Sequence, residues 1–292
     1  MAKTDLKTMR AAFEESKLIY DRYGARVEDD RKTHIHIFGS SSKGNSVYFT
    51  KIRTLVDLGL PMKRYNAVVD NFFYGVDYVI LTHEHSDHIN IATLTKIITA
   101  FPHVKVLIHT NMWEALIGSK LSSRVSDKQR GIILDGNGGS KELPLIASES
   151  SHFISAEHAQ LLATREHLPL TFTPHVVTHG PIKNLAIELH YQTTRALYSS
   201  DLDTVEPIPV ESELLQGLPT NRKFDIICLE ANYDKDTLNQ YLLEHPTDSH
   251  AAGNLRHISE QDAQVYVNNH LKMNGVYIPL HASRAFGTFF QD

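Results

Sequence analysis

The sequence predicts an α/β fold, a four-layer αββα sandwich of two packed sheets covered by helices. Three observations carry this expectation. Short runs of strand texture, either alternating or continuously apolar, recur from residue 34 to the C-terminus. Helical patterns separate some of them. The order of strands followed by helix occurs twice, without any fixed short repeat, as two sheets with covering helices require.

Taken in order, residues 5–24 read as an amphipathic helix. Leu6, Met9, Phe13, Tyr20 and Tyr23 fall at spacings of three, four and seven residues, and Gly24 is a stop signal. The charged stretch EDDRK (28–32) is a connector, so residues 1–33 form an N-terminal helix and linker, and 34–292 form the main domain. The helix packs peripherally or serves as a candidate homodimer element. HIHIF (34–38) and SVYFT (46–50) alternate like half-buried strands around the small-residue turn GSSSKGNS. TLVD (54–57) follows, and then YVILT (78–82), a run suited to burial on both faces of a sheet. NIATLTKIITAF (90–101) reads as a helix and VKVLI (104–108) as a strand.

Residues 118–160 break this rhythm. DGNGGSKEL (135–143) reads as a loop, 150–167 fits either a short helix or an insertion, and the region is a candidate lid or substrate-binding insertion. Strand texture returns at LTFTPHVVTH (170–179), LAIELHY (185–191), RALYSSD (195–201) and FDIICLE (224–230). DKDTLNQYLLEH (234–245) reads as a helix. Ser259-Glu260-Gln261-Asp262 resembles a capping box opening a helix to about Met273, and GVYIPLH (275–281) is the last strand.

Composition narrows the function classes. No run approaches the roughly 18 apolar residues of a membrane span, and no apolar signal segment opens the chain, so a cytoplasmic protein without membrane partners is expected. The single cysteine, Cys228, rules out an intramolecular disulfide or a cysteine-rich zinc module and reads as a buried thiol. A net charge of −5 speaks against a generic nucleic-acid coat. The local cluster Lys120, Arg124, Lys128 and Arg130 reads first as a solvated helix face.

The 18 histidines are the outlier, and spacing selects among them. His83, His85, Asp87 and His88 follow YVILT directly. Alternate residues of an extended segment share a side, so His83 and His85 are placed to grip one metal ion, with Asp87 and His88 turned to an adjacent position. Imidazole suits zinc and iron, and carboxylate widens the choice to manganese. The competing reading is a polar loop that happens to be rich in histidine. His179, Asp201 and His281 each end an apolar strand, where sites collect in sheet proteins.

The motif HxHxDH, followed by a distant His, Asp and His at strand ends, resembles the metallo-β-lactamase fold from about residue 34 to 292. GSSSKGNS, LVDLGLP, LTHEHSDHI, LEANYD and RHIS further resemble its YycJ/WalJ-like branch, whose members carry GSSSxGN, a D-x-G turn, HEHxDH, an E-S/A-N-H-D segment and GHLS. The resemblance implies that His83, His85 and His179 bind one metal, that Asp87, His88 and His281 bind a second, and that Asp201 bridges them. It makes Asp57 an orienting residue behind the ligands, sets His257 facing a substrate phosphate, and gives Asp87 a further role with the nucleophile. Two departures stand out. Gly180 follows His179 where the family has Asp, which removes that carboxylate's contribution. Tyr233 stands where relatives carry His, which puts in doubt what that His does with substrate.

These residues imply a binuclear phosphodiesterase, with two zinc or manganese ions, that attacks phosphorus with a metal-bridged hydroxide. The branch implies a nuclease acting on DNA as an exonuclease. Hydrolysis of small phosphodiesters such as cyclic nucleotides is the alternative that the acidic charge favours, and a non-catalytic metal-stabilised binding module is the third reading. Asp201 stands where classical lactamases tend to carry Cys, which argues against lactam chemistry. Ser41, Lys43 and Ser283 are candidate substrate contacts, with Ser40, Ser42 and Arg284 beside them. The competing reading of residues 40–43 is a tight hairpin needing small side chains.

Overall fold

The structure, a computed structural model, describes residues 35–68, 71–101, 103–109, 130–134, 141–143, 170–205, 208 and 223–288. The expected helix at 5–24, most of the basic cluster and most of the 118–160 region lie outside these residues. The chain divides into two compact units, one built on a first sheet and the other on most of a second.

The first sheet has the order β1-β2-β3-β4-β5-β6. Its strands are β1 (Ile35–Gly39), β2 (Ser46–Phe49), β3 (Thr54–Val56), β4 (Tyr78–Ile80), β5 (Lys105–His109) and β6 (Arg130–Leu134). The first two pairings are antiparallel, and β3 to β6 run parallel. Helix α1 (Met62–Asn66) follows β3, and α2 (Ile91–Ala100) follows β4. Asn90 caps α2 by accepting from the Thr93 N–H, and the helix stops at Phe101, just before Pro102. Leu94, Ile97 and Ile98 of α2 join Leu55, Val79, Leu81 and the ring cluster Phe38, Tyr65, Phe72 and Phe73 in one core.

The second sheet has the order β12-β11-β10-β9-β8-β7. These strands are β7 (Lys141–Leu143), β8 (Leu170–His179), β9 (Ile182–Tyr191), β10 (Thr194–Ser199), β11 (Phe224–Glu230) and β12 (Leu271–Leu280). β9 and β10 pair antiparallel, whereas β10, β11 and β12 run parallel. Helices α3 (Lys235–Glu244), α4 (Ser249–Gly253) and α5 (Glu260–His270) lie between β11 and β12 in the chain. Ala263, Tyr266 and Val267 of α5 pack on Ala186, Leu197, Ile227 and Leu229. Burying each large side chain there stabilises the unit by about 1.5–3 kcal/mol.

Several assignments differ from the sequence reading. The capping box forms, with the Ser259 hydroxyl accepting from the Asp262 N–H, but the helix ends at His270 rather than near Met273. Leu271 already pairs with Phe224, so the sheet ladder takes the chain before the helical pattern runs out. Residues 130–134 and 141–143 are strands inside the stretch that reads as irregular, since β6 completes a parallel pair with β5 and β7 forms a sheet edge. β9 begins at Ile182, three residues before the apolar run.

Candidate metal centre

In both units the candidate donor side chains gather just past the carboxyl ends of strands, where the sites of open α/β sheets collect. In the first unit, β3 ends at Val56 and Asp57 follows in a left-handed conformation with φ 61°. In the second, Asp201 follows β10 with φ 56°, and His281 follows β12 with φ 51°. Such backbone costs roughly 1–3 kcal/mol at a non-glycine residue and persists where surrounding contacts fix it.

The first unit fixes its donors through Asp57, which is fully buried. Asp57 Oδ1 accepts from the Thr82 N–H and hydroxyl, both at 2.9 Å. Asp57 Oδ2 accepts from His88 Nδ1 at 2.7 Å. The proton of the buried His88 ring therefore sits on Nδ1, and Nε2 presents its lone pair. The Thr82 hydroxyl proton is directed to Asp57, so its oxygen accepts from His83 Nδ1 at 3.1 Å and leaves His83 Nε2 as a lone-pair donor. His83 Nε2 lies 3.1 Å from His85 Nδ1. Two nitrogens on one tetrahedral zinc ion stand about 3.3 Å apart, given Zn–N bonds of about 2.0–2.1 Å. The two nitrogens of His83 and His85 therefore stand close to the separation of two donors on one ion. Asn45, 2% exposed, donates from Nδ2 to His88 Nε2 at 2.9 Å and to Asp87 Oδ2 at 3.3 Å.

In the second unit, Asp201, Glu230, His257 and His281 each offer a ligand atom, and these atoms lie within 4.8 Å of one another. His281 Nδ1 is 3.5 Å from Asp201 Oδ1 and 3.3 Å from Glu230 Oε1. Asn232 Nδ2 donates to the His281 carbonyl at 2.7 Å and lies 3.1 Å from its Nδ1. The Asp201 turn is held by Asn184, whose Nδ2 donates to the carbonyls of Ser200 and Asp201. The Leu202 N–H, in turn, donates to Glu230 Oε2. His257 Nδ1 meets Glu230 Oε1 at 2.6 Å. Burial pushes the His257 imidazole down, but the Glu230 carboxylate outweighs this and leaves it above the usual histidine value. For Glu230, burial pushes up while His257 and His281 pull it below the usual carboxylate range.

His179 ends β8 with its ring centroid 5.0 Å from that of His257. Another carboxylate, Asp203, lies near His179 from the loop after β10, without hydrogen-bonding its ring. Asp203 accepts from the Gly180 N–H at 2.9 Å and reaches within 4.0 Å of His179 Nδ1. The proposed ligands thus fall into two sets: His83, His85, Asp87 and His88 with Asp57 behind them, and His179, Asp201 and His281 with His257 beside them. Imidazole and carboxylate donors of this kind suit zinc, manganese and iron.

The weaker candidates behave otherwise. Ser41 Oγ accepts from the Lys43 N–H, and the Ser41 carbonyl accepts from Gly44, so residues 41–44 form a self-contained turn. Ser283 closes another turn, accepting from the Phe286 N–H and donating its own N–H to the Asn232 carbonyl. Glu230, Asn45 and Asn232 were missed by the sequence reading. The available signal for Glu230 was the rule that selected Asp201: it is the polar residue at the exit of a strand buried along its whole length.

Residues 74–256 match the family described as the metallo-β-lactamase superfamily. The exodeoxyribonuclease WalJ of Streptococcus pneumoniae is 30% identical over 101 residues, 33% of this chain and 36% of WalJ, so the match spans about a third of that relative. Among solved structures, the metallo-β-lactamase fold protein YhfI from Bacillus subtilis superposes with a TM-score of 0.51 at 16% identity, over 86% of each chain. The short form of human tRNase Z gives 0.51 at 13% identity, over 86% of this chain and 93% of its own. The matched segment covers well over half of the sequence, and the fold agrees with the four-layer class expected from it. The chain belongs to the metallo-β-lactamase superfamily of metal-dependent hydrolases.

Proposed function

We propose that this protein is a binuclear phosphodiesterase that hydrolyses nucleic acid, with DNA as its substrate. In this reading His83, His85 and His179 hold one zinc or manganese ion, Asp87, His88 and His281 hold another, and Asp201 is shared. Bound there, the ions supply a nucleophile at neutral pH and neutralise charge on the phosphoryl oxygens. The observation that carries the reading is the Glu230–His257 pair beside a ligand set. Glu230 holds the Nδ1 proton of His257, which leaves Nε2 as the ring atom for a substrate oxygen. A leaving oxygen of a phosphodiester needs a proton as the P–O bond breaks, and a histidine held by a buried carboxylate is placed to provide it. The names of similar proteins support the same substrate class, one being an exodeoxyribonuclease and another a tRNase.

The test is a panel of labelled single- and double-stranded DNA, RNA and cyclic nucleotides, each with Mn²⁺ or Zn²⁺. Cleavage of DNA by the wild type, lost on chelation and in Asp201→Ala, is expected. Cleavage by Asp201→Ala equal to wild type would overturn the metal-centred reading. Turnover of cyclic nucleotides alone would replace the polymer with a small phosphodiester.

A further inference from the structure

Resting on the binuclear reading above, we infer that Asn45 is a positioning residue for the half-site formed by Asp87 and His88. One carboxamide nitrogen serves both groups, with one N–H directed to Asp87 Oδ2 and the other to His88 Nε2. A carboxylate oxygen and an imidazole lone pair are thereby bridged by a single NH₂ group.

The orientation of this amide follows from its neighbours. Turning it over would set Oδ1 against the Asp87 carboxylate and against the lone pair of His88, two repulsions in place of two bonds. The His88 ring is fixed independently from its other side, where Nδ1 donates to Asp57. Both sides therefore agree on a neutral ring with its lone pair toward Asn45. The backbone completes the latch, with the Asn45 N–H donating to the Asp87 carbonyl at 2.7 Å and Gly59 donating to the Asn45 carbonyl at 3.0 Å. Asn45 Oδ1 is buried and has no hydrogen-bond partner among the described residues. An unsatisfied buried acceptor costs stability, so a side chain kept only for packing would be better served by an apolar group. The N–H donors account for the presence of an asparagine.

An ion that takes the His88 lone pair replaces one of these bonds, and the other continues to hold Asp87. Loss of such outer contacts weakens metal binding by about 10–100-fold. The experiment titrates metal-free wild type, Asn45→Ala and the near-isosteric Asn45→Leu with Zn²⁺ against a chromophoric chelator. Thermal midpoints of the metal-free proteins report folding. Wild type is expected to bind two ions, and both variants to keep one at wild-type affinity while the other weakens by about 10–100-fold. Two unchanged affinities in either folded variant, or an equal weakening of both ions, overturns the role of Asn45 and leaves the binuclear reading standing. Fewer than two ions on the wild type overturns that reading, and this inference with it.

Discussion

The Glu230 carboxylate, wholly buried at the end of β11, lies 2.6 Å from Nδ1 of His257. Neither residue is adjacent to the other in sequence, and the parallel pairing of β10, β11 and β12 brings Asp201, Glu230 and His281 to one edge where His257 joins them. His257→Ala is expected to lower turnover of a phosphodiester by about 10²–10⁴-fold, the usual worth of a positioned proton donor. Metal content measured by elemental analysis should stay at the wild-type level. Loss of metal in step with activity would instead make His257 a ligand.

Asp57 accepts from three groups at once, the Thr82 backbone N–H, the Thr82 hydroxyl and the His88 ring. Asp57→Ala removes all of these contacts. Metal affinity is expected to fall by about 10–100-fold. The metal-free protein should also lose about 1–3 kcal/mol, because the Thr82 N–H is left buried without its acceptor. Chelator competition and urea unfolding measure the two effects separately, and a variant with unchanged metal affinity would remove Asp57 from the centre.

Gly59 packs against the same loop. A Cβ built at this position would stand 1.7 Å from the Asp87 carbonyl oxygen and 2.7 Å from the Asn45 nitrogen. Both are backbone atoms and cannot rotate away, so Gly59→Ala must displace the Asp87 segment. We expect a loss of stability of at least about 1–3 kcal/mol, together with weaker metal binding. Gly180→Ala is the control: it has φ 57° but nothing within 4 Å of its Cβ, so it should show only the backbone cost of about 1–2 kcal/mol with metal binding retained. Equal effects of the two substitutions on metal content would contradict this account.

The strands were legible wherever their own residues dictate them. FDIICLE reads as a strand because its centre, IICL, is continuously apolar, and β11 spans all seven residues. Asn90 and Ser259 announce helix starts that the structure keeps, because capping is local chemistry. The end of α5 was not legible, because it is decided by pairing of Leu271 with Phe224, 47 residues away in sequence. The site divides in the same way. His83, His85, Asp87 and His88 declare themselves by spacing. Glu230, Asn232 and Asn45 lie in segments that the sequence singles out, but their partnerships with His257, His281 and Asp87 become visible only in the fold. The carboxylate near His179 could not be read from the sequence, since Asp203 arrives from a different loop.

Glu188 forms a second buried charge network, independent of the metal centre. Its carboxylate accepts from Arg195 Nε at 2.7 Å and meets His175 Nε2 at 3.3 Å and His190 Nε2, while Arg195 stacks on Phe224. Burial pushes the carboxyl up, but His175, His190 and Arg195 together hold it well below the usual carboxylate range. A carboxyl lowered in the folded state binds fewer protons there than in the unfolded chain, so acid favours unfolding. Its stabilisation is complete above the ordinary glutamate value of 4.5 and is lost as the pH falls from there toward the lower folded value. Glu188→Gln removes the carboxylate charge that accepts from Arg195 Nε and faces the two histidines, and should cost about 1.5–3 kcal/mol at pH 7. Other carboxyls titrate alike in both proteins, so the difference between their urea midpoints isolates Glu188. That difference is expected to be widest at neutral pH and to narrow by pH 3. A difference that stays constant across this interval would mean that Glu188 contributes by packing and not by charge.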